Sequence, residues 1–417
     1  MKVLVIGSGG REHAICAALK KSERVTQLCC APGNGGISEI AECVDISATD
    51  IEAMTRFAKE NGIDFVMVAP DDPLALGMVD AMEAAGIRAF GPYKNAAVIE
   101  SSKVFSKNLM AKYNIPTAKY EVFTDPDKAV SYIREQGAPI VVKADGLALG
   151  KGVIVAADIQ TAEDAVLSMM RDNKFGSSGD NIVIEECMTG PEVTVLAFTD
   201  GKTIKPMLSS QDHKRAFDND MGLNTGGMGA FCPSPKYTSE IAKTCMNTIF
   251  KPTIDAMNSE GRSFKGVIYF GLMLTPNGPR VIEYNARFGD PEAQAVLLML
   301  KTDLLDIFDA IIDERLSEIE IEWRDGYSCC VVMASGGYPE NYEKGFEITG
   351  LETIPDDITV FHAGTKKSGE SILTNGGRVL GVTALGGSLP DAAARAYEGV
   401  SLISFSDAHF RTDIGKK

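Results

Sequence analysis

The chain has 417 residues, 45% of them apolar and 24% charged, with a net charge of −16. That length exceeds one hydrophobic core and implies two to four domains, and the composition is that of an ordinary globular protein. The acidic balance argues against a general nucleic-acid or anionic-membrane surface, and no apolar run approaches the roughly 18–20 residues of a membrane span.

The N-terminus, KVLVIG (2–7), reads as a strand with no signal-peptide layout. A helix follows at 10–22, a strand at 25–33, a helix near 50–61, and strands at 63–70 and 87–92. This βαβ rhythm to about residue 100 predicts a parallel, doubly wound sheet with ligands at the strand C-termini. From about 102 to 320, long helices (101–113 and 241–261) mix with antiparallel-looking strand pairs. Strands at 327–335, 359–367 and 378–387 and a helix at 390–400 make the tail strand-rich. Nine cysteines without a CxxC pair read as reduced, buried thiols of a cytosolic protein, and four scattered histidines make a histidine-rich zinc site improbable.

Five stretches carry chemistry. The turn GSGGREH (7–13) imitates a dinucleotide fingerprint, but Glu12 stands where its third glycine belongs. Backbone N–H groups of Gly9 and Gly10, with Arg11, suit one phosphate at a helix N-terminus, which favours a phosphosugar over a nicotinamide. The stretch IVVKADGLALGKGVIV (140–155) fails the Walker A test, because only three residues lie between Gly146 and Gly150 where the motif has four, and Gly152 rather than Ser or Thr follows Lys151. With strand-like sequence on both sides it is a glycine hairpin, whose tip (Gly146, Leu147, Gly150, Lys151, Gly152) can fold over a polyphosphate while Lys143 holds a phosphate as a point charge. A plain hairpin with solvated lysines is the competing reading.

In IVIEECMTGPEVTVLAF (182–198), a strand ends in Glu185 and Glu186, turns, and resumes at Glu192. Backbone at Cys187 and Met188 suits a purine edge and Glu192 ribose hydroxyls; the alternative is a β-turn with solvated acids. In RVIEYNARFGDPE (280–292), Glu283, Asn285 and Arg287 share one strand face. A carboxylate and an amide oxygen suit magnesium, and Arg287 can neutralise a carboxylate or acyl phosphate. Finally, the polar, glycine-rich segment 209–231 reads as a long functional loop, with disorder as its alternative. It sets Asp212, His213, Lys214 and Arg215 before Asn224, Thr225, Gly226 and Gly227, a mixed set suited to a zwitterionic or phosphorylated substrate.

Together these motifs resemble the ATP-grasp superfamily and, within it, the glycinamide ribonucleotide synthetase family. The resemblance runs end to end, from VLVIGSGGREHA through SQDHKR, NTGGMGAF and EYNARFGDPE to a closing RTDIG. It implies an α/β and α+β multidomain fold: a Rossmann-like domain (1–101), an ATP-grasp domain (102–322, flap about 117–188) and a small β-rich C-terminal domain (323–417). The implied reaction joins glycine to 5-phosphoribosylamine at the expense of ATP. Lys103 and Lys143 would hold ATP phosphates, Glu185 with Glu186 and the Cys187–Met188 backbone adenine, and Glu192 ribose. Glu283 and Asn285 would bind magnesium, or manganese. Arg287, Lys143 and Asp212 are assigned to catalysis, and Gly9–Glu12, Asp71, the 212–215 and 224–227 segments, Arg287 and Asp290 to the substrates. The resemblance leaves room for transient contact with neighbouring purine-pathway enzymes. Three positions depart from the family pattern: Asp71 for Glu, Leu149 for a small residue, and Ser8 for Asn.

Overall fold

A computed structural model describes residues 1–147, 152–172 and 176–416. The N-terminal strands β1 (Lys2–Gly7), β2 (Gln27–Pro32), β3 (Glu42–Cys43), β4 (Phe65–Val68) and β5 (Arg88–Phe90) form a parallel sheet in the order 3-2-1-4-5. Alternate residues of β1 enter two different cores. Leu4 and Ile6 pack with Met54, Met78 and Met82, whereas Val3 and Val5 pack with Ile15, Leu19 and Phe308. Strand order reverses between β1 and β4, and the crevice beyond their carboxyl ends is where an open sheet of this kind takes ligands.

The helix expected over 101–113 begins instead at Lys103, after a separate helix Lys94–Ser101. Ser102 breaks the run: its backbone is extended (φ −137°, ψ 111°) and its hydroxyl caps Phe105 N–H at 3.0 Å. The 241–261 helix is continuous from Ser239 to Ser259, with one π turn over Met246–Phe250, just where Pro252 has no N–H to give.

Next, β6 (Tyr120–Phe123), β7 (Ile140–Ala144), β8 (Val153–Ala156) and β9 (Ile182–Glu186) form an antiparallel sheet in the order 6-9-7-8, backed by helices Pro126–Gln136 and Ile159–Met170. The predicted glycine hairpin is present, with Lys143 opposite Val153 as the last pair before its tip. The tip residues Leu149, Gly150 and Lys151 lie outside the described residues.

The segment expected to be an irregular loop is built of short strands. After β10 (Glu192–Thr199) and β11 (Ile204–Pro206) come β12 (Gln211–Asp212), β13 (Arg215–Phe217), β14 (Met221–Asn224) and β15 (Gly229–Cys232). β13 and β14 make a hairpin, while β15 pairs with β18 (Tyr327–Ala334) in the C-terminal part. A partner a hundred residues away, joined to a glycine-rich strand, leaves no local periodicity to read. β10 and β11 continue through β16 (Gly266–Thr275) and β17 (Gly278–Asn285) in the order 11-10-16-17. The C-terminal strands β19 (Ile358–His362), β20 (Thr365–Ser368), β21 (Ser371–Thr374) and β22 (Arg378–Gly386) follow. The large C-terminal sheet runs 12-15-18-22-19, so it takes strands from both sides of residue 323. Helix Leu389–Leu402 packs on it.

All nine cysteines are free, but Cys43 is exposed and Cys187 half-buried, so the expectation of uniformly buried thiols fails at these two. No helix among the described residues is long and apolar enough to cross a membrane.

Candidate active site

The N-terminal turn closes on itself. Gly7 has φ +126°, and a Cβ there would lie 2.4 Å from Glu12 Cγ. Glu12 accepts from Gly9 N–H at 2.5 Å and from Arg11 Nε at 2.7 Å. Arg11 also donates to the Phe288 carbonyl at 3.0 Å, and its N–H to Asp290 Oδ2 at 3.2 Å. Of the groups expected to meet a phosphate, the Gly9 N–H and the Arg11 side chain are engaged by Glu12, which completes the capping box of the helix, and the Arg11 N–H is engaged by Asp290. Asp71, at the start of the helix after β4, faces both Arg11 and Arg287. Burial pushes its carboxyl up, but Arg287 and Arg11 outweigh this and hold it below the usual range.

The second sheet turns a polar face toward this crevice. In its register Thr194 lies opposite Gly271, and Gly271 opposite Glu283; Tyr269 lies opposite Asn285. Gly271 leaves the space that the Glu283 stem crosses, since a Cβ there would sit 3.2 Å from Glu283 Cγ. Lys214 Nζ stands 3.4 Å from Glu192 and 3.7 Å from Glu283. Burial raises the Glu283 carboxyl, but Lys214, Lys143, Lys103 and Arg287 together hold it below the usual range. Asp212 is pushed up to about 7 by burial, against Lys214 and with the repulsion of Glu292, Glu192 and Glu283. Tyr269 bridges Thr194 and Glu292 through its hydroxyl, 3.0 Å from each.

Beyond Asn285 the chain turns through Arg287, 3.0 Å from the buried carboxylate of Glu100. Glu100 also accepts Ala286 N–H at 2.7 Å, and burial, with Asp71 adding and Arg287 opposing, pushes it up to about 7. Arg287 Nε has no hydrogen-bond partner among the described residues. Sequence reading missed Glu100; its signal is a lone carboxylate in the helix KNAAVIES.

Lys143 Nζ is buried, 3.0 Å from Glu185 and donating to the Ile282 carbonyl at 3.1 Å. A second buried lysine, Lys107, stands 3.2 Å from the other Glu185 oxygen, an ion pair without hydrogen-bond geometry, and donates to Thr117 Oγ1 at 2.7 Å. Lys107 was also missed, hidden among the solvated lysines of an amphipathic-looking helix. Glu185 therefore points inward between two ammonium groups. Lys103, on the first turn of its helix, donates to the Gly146 carbonyl at 2.9 Å and so ties that helix to the start of the hairpin tip. Leu147 is half-buried beside it, and Gly152 accepts Ala144 N–H at 2.8 Å. Glu186 turns outward and is held by Lys119 N–H and Arg280, both at 3.0 Å; Cys187 and Met188 are half-buried.

The 209–231 segment contributes alternate residues only. Asp212 and Lys214 face the carboxylate cluster, while His213 turns to the opposite side against Phe231, ring centroids 5.8 Å apart. Burial and Arg411 push the His213 imidazole down to about 4, and neither ring nitrogen has a hydrogen-bond partner among the described residues. Arg215 donates to Gly222 within its own hairpin, where it pairs with Asn224. Strand alternation thus turns His213 and Arg215 away from the face that carries Asp212 and Lys214, with which the sequence grouped them. Thr225 folds back on the Lys214 carbonyl through N–H (2.7 Å) and Oγ1 (2.8 Å), and Gly227 N–H caps Thr225 Oγ1 at 2.9 Å. Arg378, unrecognised in the sequence, donates to the carbonyls of Gly226 (2.8 Å) and Asp290 (2.6 Å). Gln294 fixes Asp290 from the other side at 2.9 Å.

A doubly wound domain, a flap sheet bearing a lysine beside a glycine hairpin, and a second antiparallel sheet carrying Glu283 and Asn285 define an ATP-grasp protein. Three family models match in succession: phosphoribosylglycinamide synthetase N domain (1–100), ATP-grasp (A) domain (101–293) and C domain (328–417). The chain belongs to the phosphoribosylamine–glycine ligase family. It is 49% identical to the phosphoribosylamine–glycine ligase of Halalkalibacterium halodurans, over 100% of this chain and 97% of that one. The corresponding ligase of Brucella melitensis is 48% identical over the same shares. The crystal structure of phosphoribosylamine–glycine ligase from Thermotoga maritima superposes with a TM-score of 0.84 at 30% identity, covering 99% of this chain and 100% of that one. The biotin carboxylase domain of Hydrogenobacter thermophilus 2-oxoglutarate carboxylase shares the fold at 16% identity, with a TM-score of 0.74 over 98% of this chain and 91% of that one.

Proposed function

We propose that the protein joins glycine to 5-phosphoribosylamine, giving glycinamide ribonucleotide, ADP and phosphate through a glycyl phosphate, in purine biosynthesis. The observation that carries this reading is the ring of cations, Lys103, Lys143, Lys214 and Arg287, whose charges hold the partly exposed Glu283 ionised beside Asn285. Glycine's carboxylate must attack a γ-phosphate, which brings two anions together. Lys103 and Lys143 lower that repulsion on the ATP side, and Arg287 neutralises the carboxylate or the acyl phosphate that replaces it. An ionised carboxylate and an amide oxygen are donors that fit magnesium, with manganese as the alternative. A divalent ion held there by Glu283 and Asn285 would supply further charge neutralisation on the phosphates.

Asp212 and Lys214 are the residues we assign to the acceptor side. With its carboxyl raised toward neutrality, Asp212 is suited to take a proton from the incoming amine as it attacks the acyl carbon. The turn 224–227, Asp71 and Asp290 flank the same crevice, into which Arg11 and Arg287 bring positive charge. Cys187, Met188 and Glu192 are assigned to the nucleoside, and the hairpin 146–152 to covering the triphosphate and excluding water. We assign domains at 1–101, 102–322 (flap 117–188) and 323–417, and a cytoplasmic location with small-molecule substrates. The test is phosphate release from ATP and magnesium with and without glycine and freshly generated phosphoribosylamine. Release is expected only with both, and release independent of either one would overturn the assignment.

A further inference from the structure

The closing RTDIG segment has no place in the reaction described above, yet it holds the most completely buried arginine of the chain. Arg411 has 0% exposure. Its guanidinium forks onto Asp413, at 2.7 Å from Nε and 2.7 Å from Nη2. Its remaining donor, Nη1, reaches away from the tail to the 215–224 hairpin: the Arg215 carbonyl at 3.1 Å and Asp220 at 3.0 Å. Neighbouring residues of the tail repeat the grip. Thr412 N–H donates to Asp218 at 2.7 Å, Asp413 accepts Asn219 N–H at 2.9 Å, and His409 Nε2 lies 2.7 Å from the Ala216 carbonyl. His409 also meets the Phe217 ring edge-on, centroids 5.2 Å apart.

The hairpin so held does not hold itself. Its tip places two consecutive non-glycine residues, Asn219 and Asp220, in the left-handed region (φ 58° and 55°), and its side chains Phe217, Met221 and Leu223 are more than half exposed. A two-stranded hairpin without a covered face is marginal on its own. It nevertheless joins directly to Asp212–Lys214 at one end and Asn224–Gly227 at the other. The two ends are tied to each other by Thr225 on the Lys214 carbonyl. We propose that Arg411 is a positioning residue of the reaction site: it locks the C-terminal tail onto the 215–224 hairpin and thereby fixes Lys214 against Glu192 and Glu283. The C-terminal domain then serves the chemistry from behind, without touching substrate.

This inference rests on the function proposed above, and the experiment separates the two. Arg411→Met and Arg411→Lys are compared with the unaltered full chain, with Asp413→Asn as the alternative should Arg411→Met fail to fold. Three quantities are read well below the unfolding temperature: kcat/KM for glycine and for the ribosylamine, the Kd of MgATP, and amide hydrogen exchange over 215–224. Positioning predicts a fall of at least tenfold in both kcat/KM values, because displacements near 1 Å are costly to a reacting pair. It also predicts exchange protection lost in the hairpin alone and partial recovery of both kcat/KM values in Arg411→Lys, with any rise in the Kd of MgATP no larger than the fall in kcat/KM, since Lys214 adjoins Glu192 and Glu283. Unchanged kinetics, or exchange protection lost generally across the chain, would reduce Arg411 to a structural residue. Inactivity of the unaltered chain would instead strike the proposed function.

Discussion

Lys143 is the position where structural and chemical roles can be separated by measurement. Lys143→Met keeps the aliphatic stem and removes an ammonium that is 3% exposed, 3.0 Å from Glu185 and 3.1 Å from the Ile282 carbonyl. Glu185, also 3% exposed, is left with Lys107 alone at 3.2 Å. Breaking a buried pair costs roughly 3–5 kcal/mol, and the surviving lysine puts this case near the lower bound, about 3 kcal/mol. Replacing both partners by apolar groups of similar size is often neutral, so Lys143→Met/Glu185→Leu should regain most of that loss. Turnover should behave differently. Loss of one fixed charge at a transferring phosphoryl group costs about 10²–10³ in kcat, and no second-site change at Glu185 replaces it. Urea unfolding of the flap, followed by hydrogen exchange, gives the stability arm, and glycine-dependent phosphate release gives the other. Recovery of activity along with stability in the double variant would show that Lys143 matters only as a counter-ion to Glu185. Full activity in the single variant would refute its assignment to ATP altogether.

Glu283→Gln and Asn285→Ala should each shift the magnesium concentration for half-maximal activity upward by at least tenfold while leaving circular dichroism unchanged; an unaltered magnesium titration would place the metal elsewhere. Asp212, raised from 3.8 to about 7, binds its proton more tightly folded than unfolded, so its contribution to stability falls as pH rises from about 4 through 7 and is fully lost above 7. Asp212→Asn should therefore flatten the difference in unfolding temperature between pH 5 and 8, and an unchanged difference would contradict the raised value. His213, lowered to about 4, carries the opposite sign: its contribution is complete above its ordinary value near 6.5 and is lost as pH falls toward 4. His213→Leu should keep turnover within about threefold and resist acid better than the unaltered chain. A hundredfold loss of activity would restore His213 to the substrate side. Glu100→Gln should lower activity by loosening Arg287, seen as a larger effect on the KM for glycine than on the Kd of MgATP.

What the sequence determined by itself is what local chemistry records. The N-terminal βαβ rhythm gives the doubly wound sheet, because strands buried on both faces read as continuous apolar runs. Flanking strand patterns give the glycine hairpin, and two-residue alternation puts Glu283 and Asn285 on one face. The same alternation, applied to 211–215, could have separated His213 from Asp212 and Lys214; glycine-rich flanks concealed the strand. Only the tertiary structure decided the rest, because it turns on which distant groups become neighbours in low dielectric. Glu12 closes its own turn, Glu185 lies between Lys107 and Lys143, and Glu100 answers Arg287 across the domain junction. β15 leaves its chain neighbours for β18, and the tail carries Arg411 to a hairpin nearly two hundred residues earlier. Periodicity reports burial, but a buried charge is specified by its partner, and the partner is a property of the folded chain.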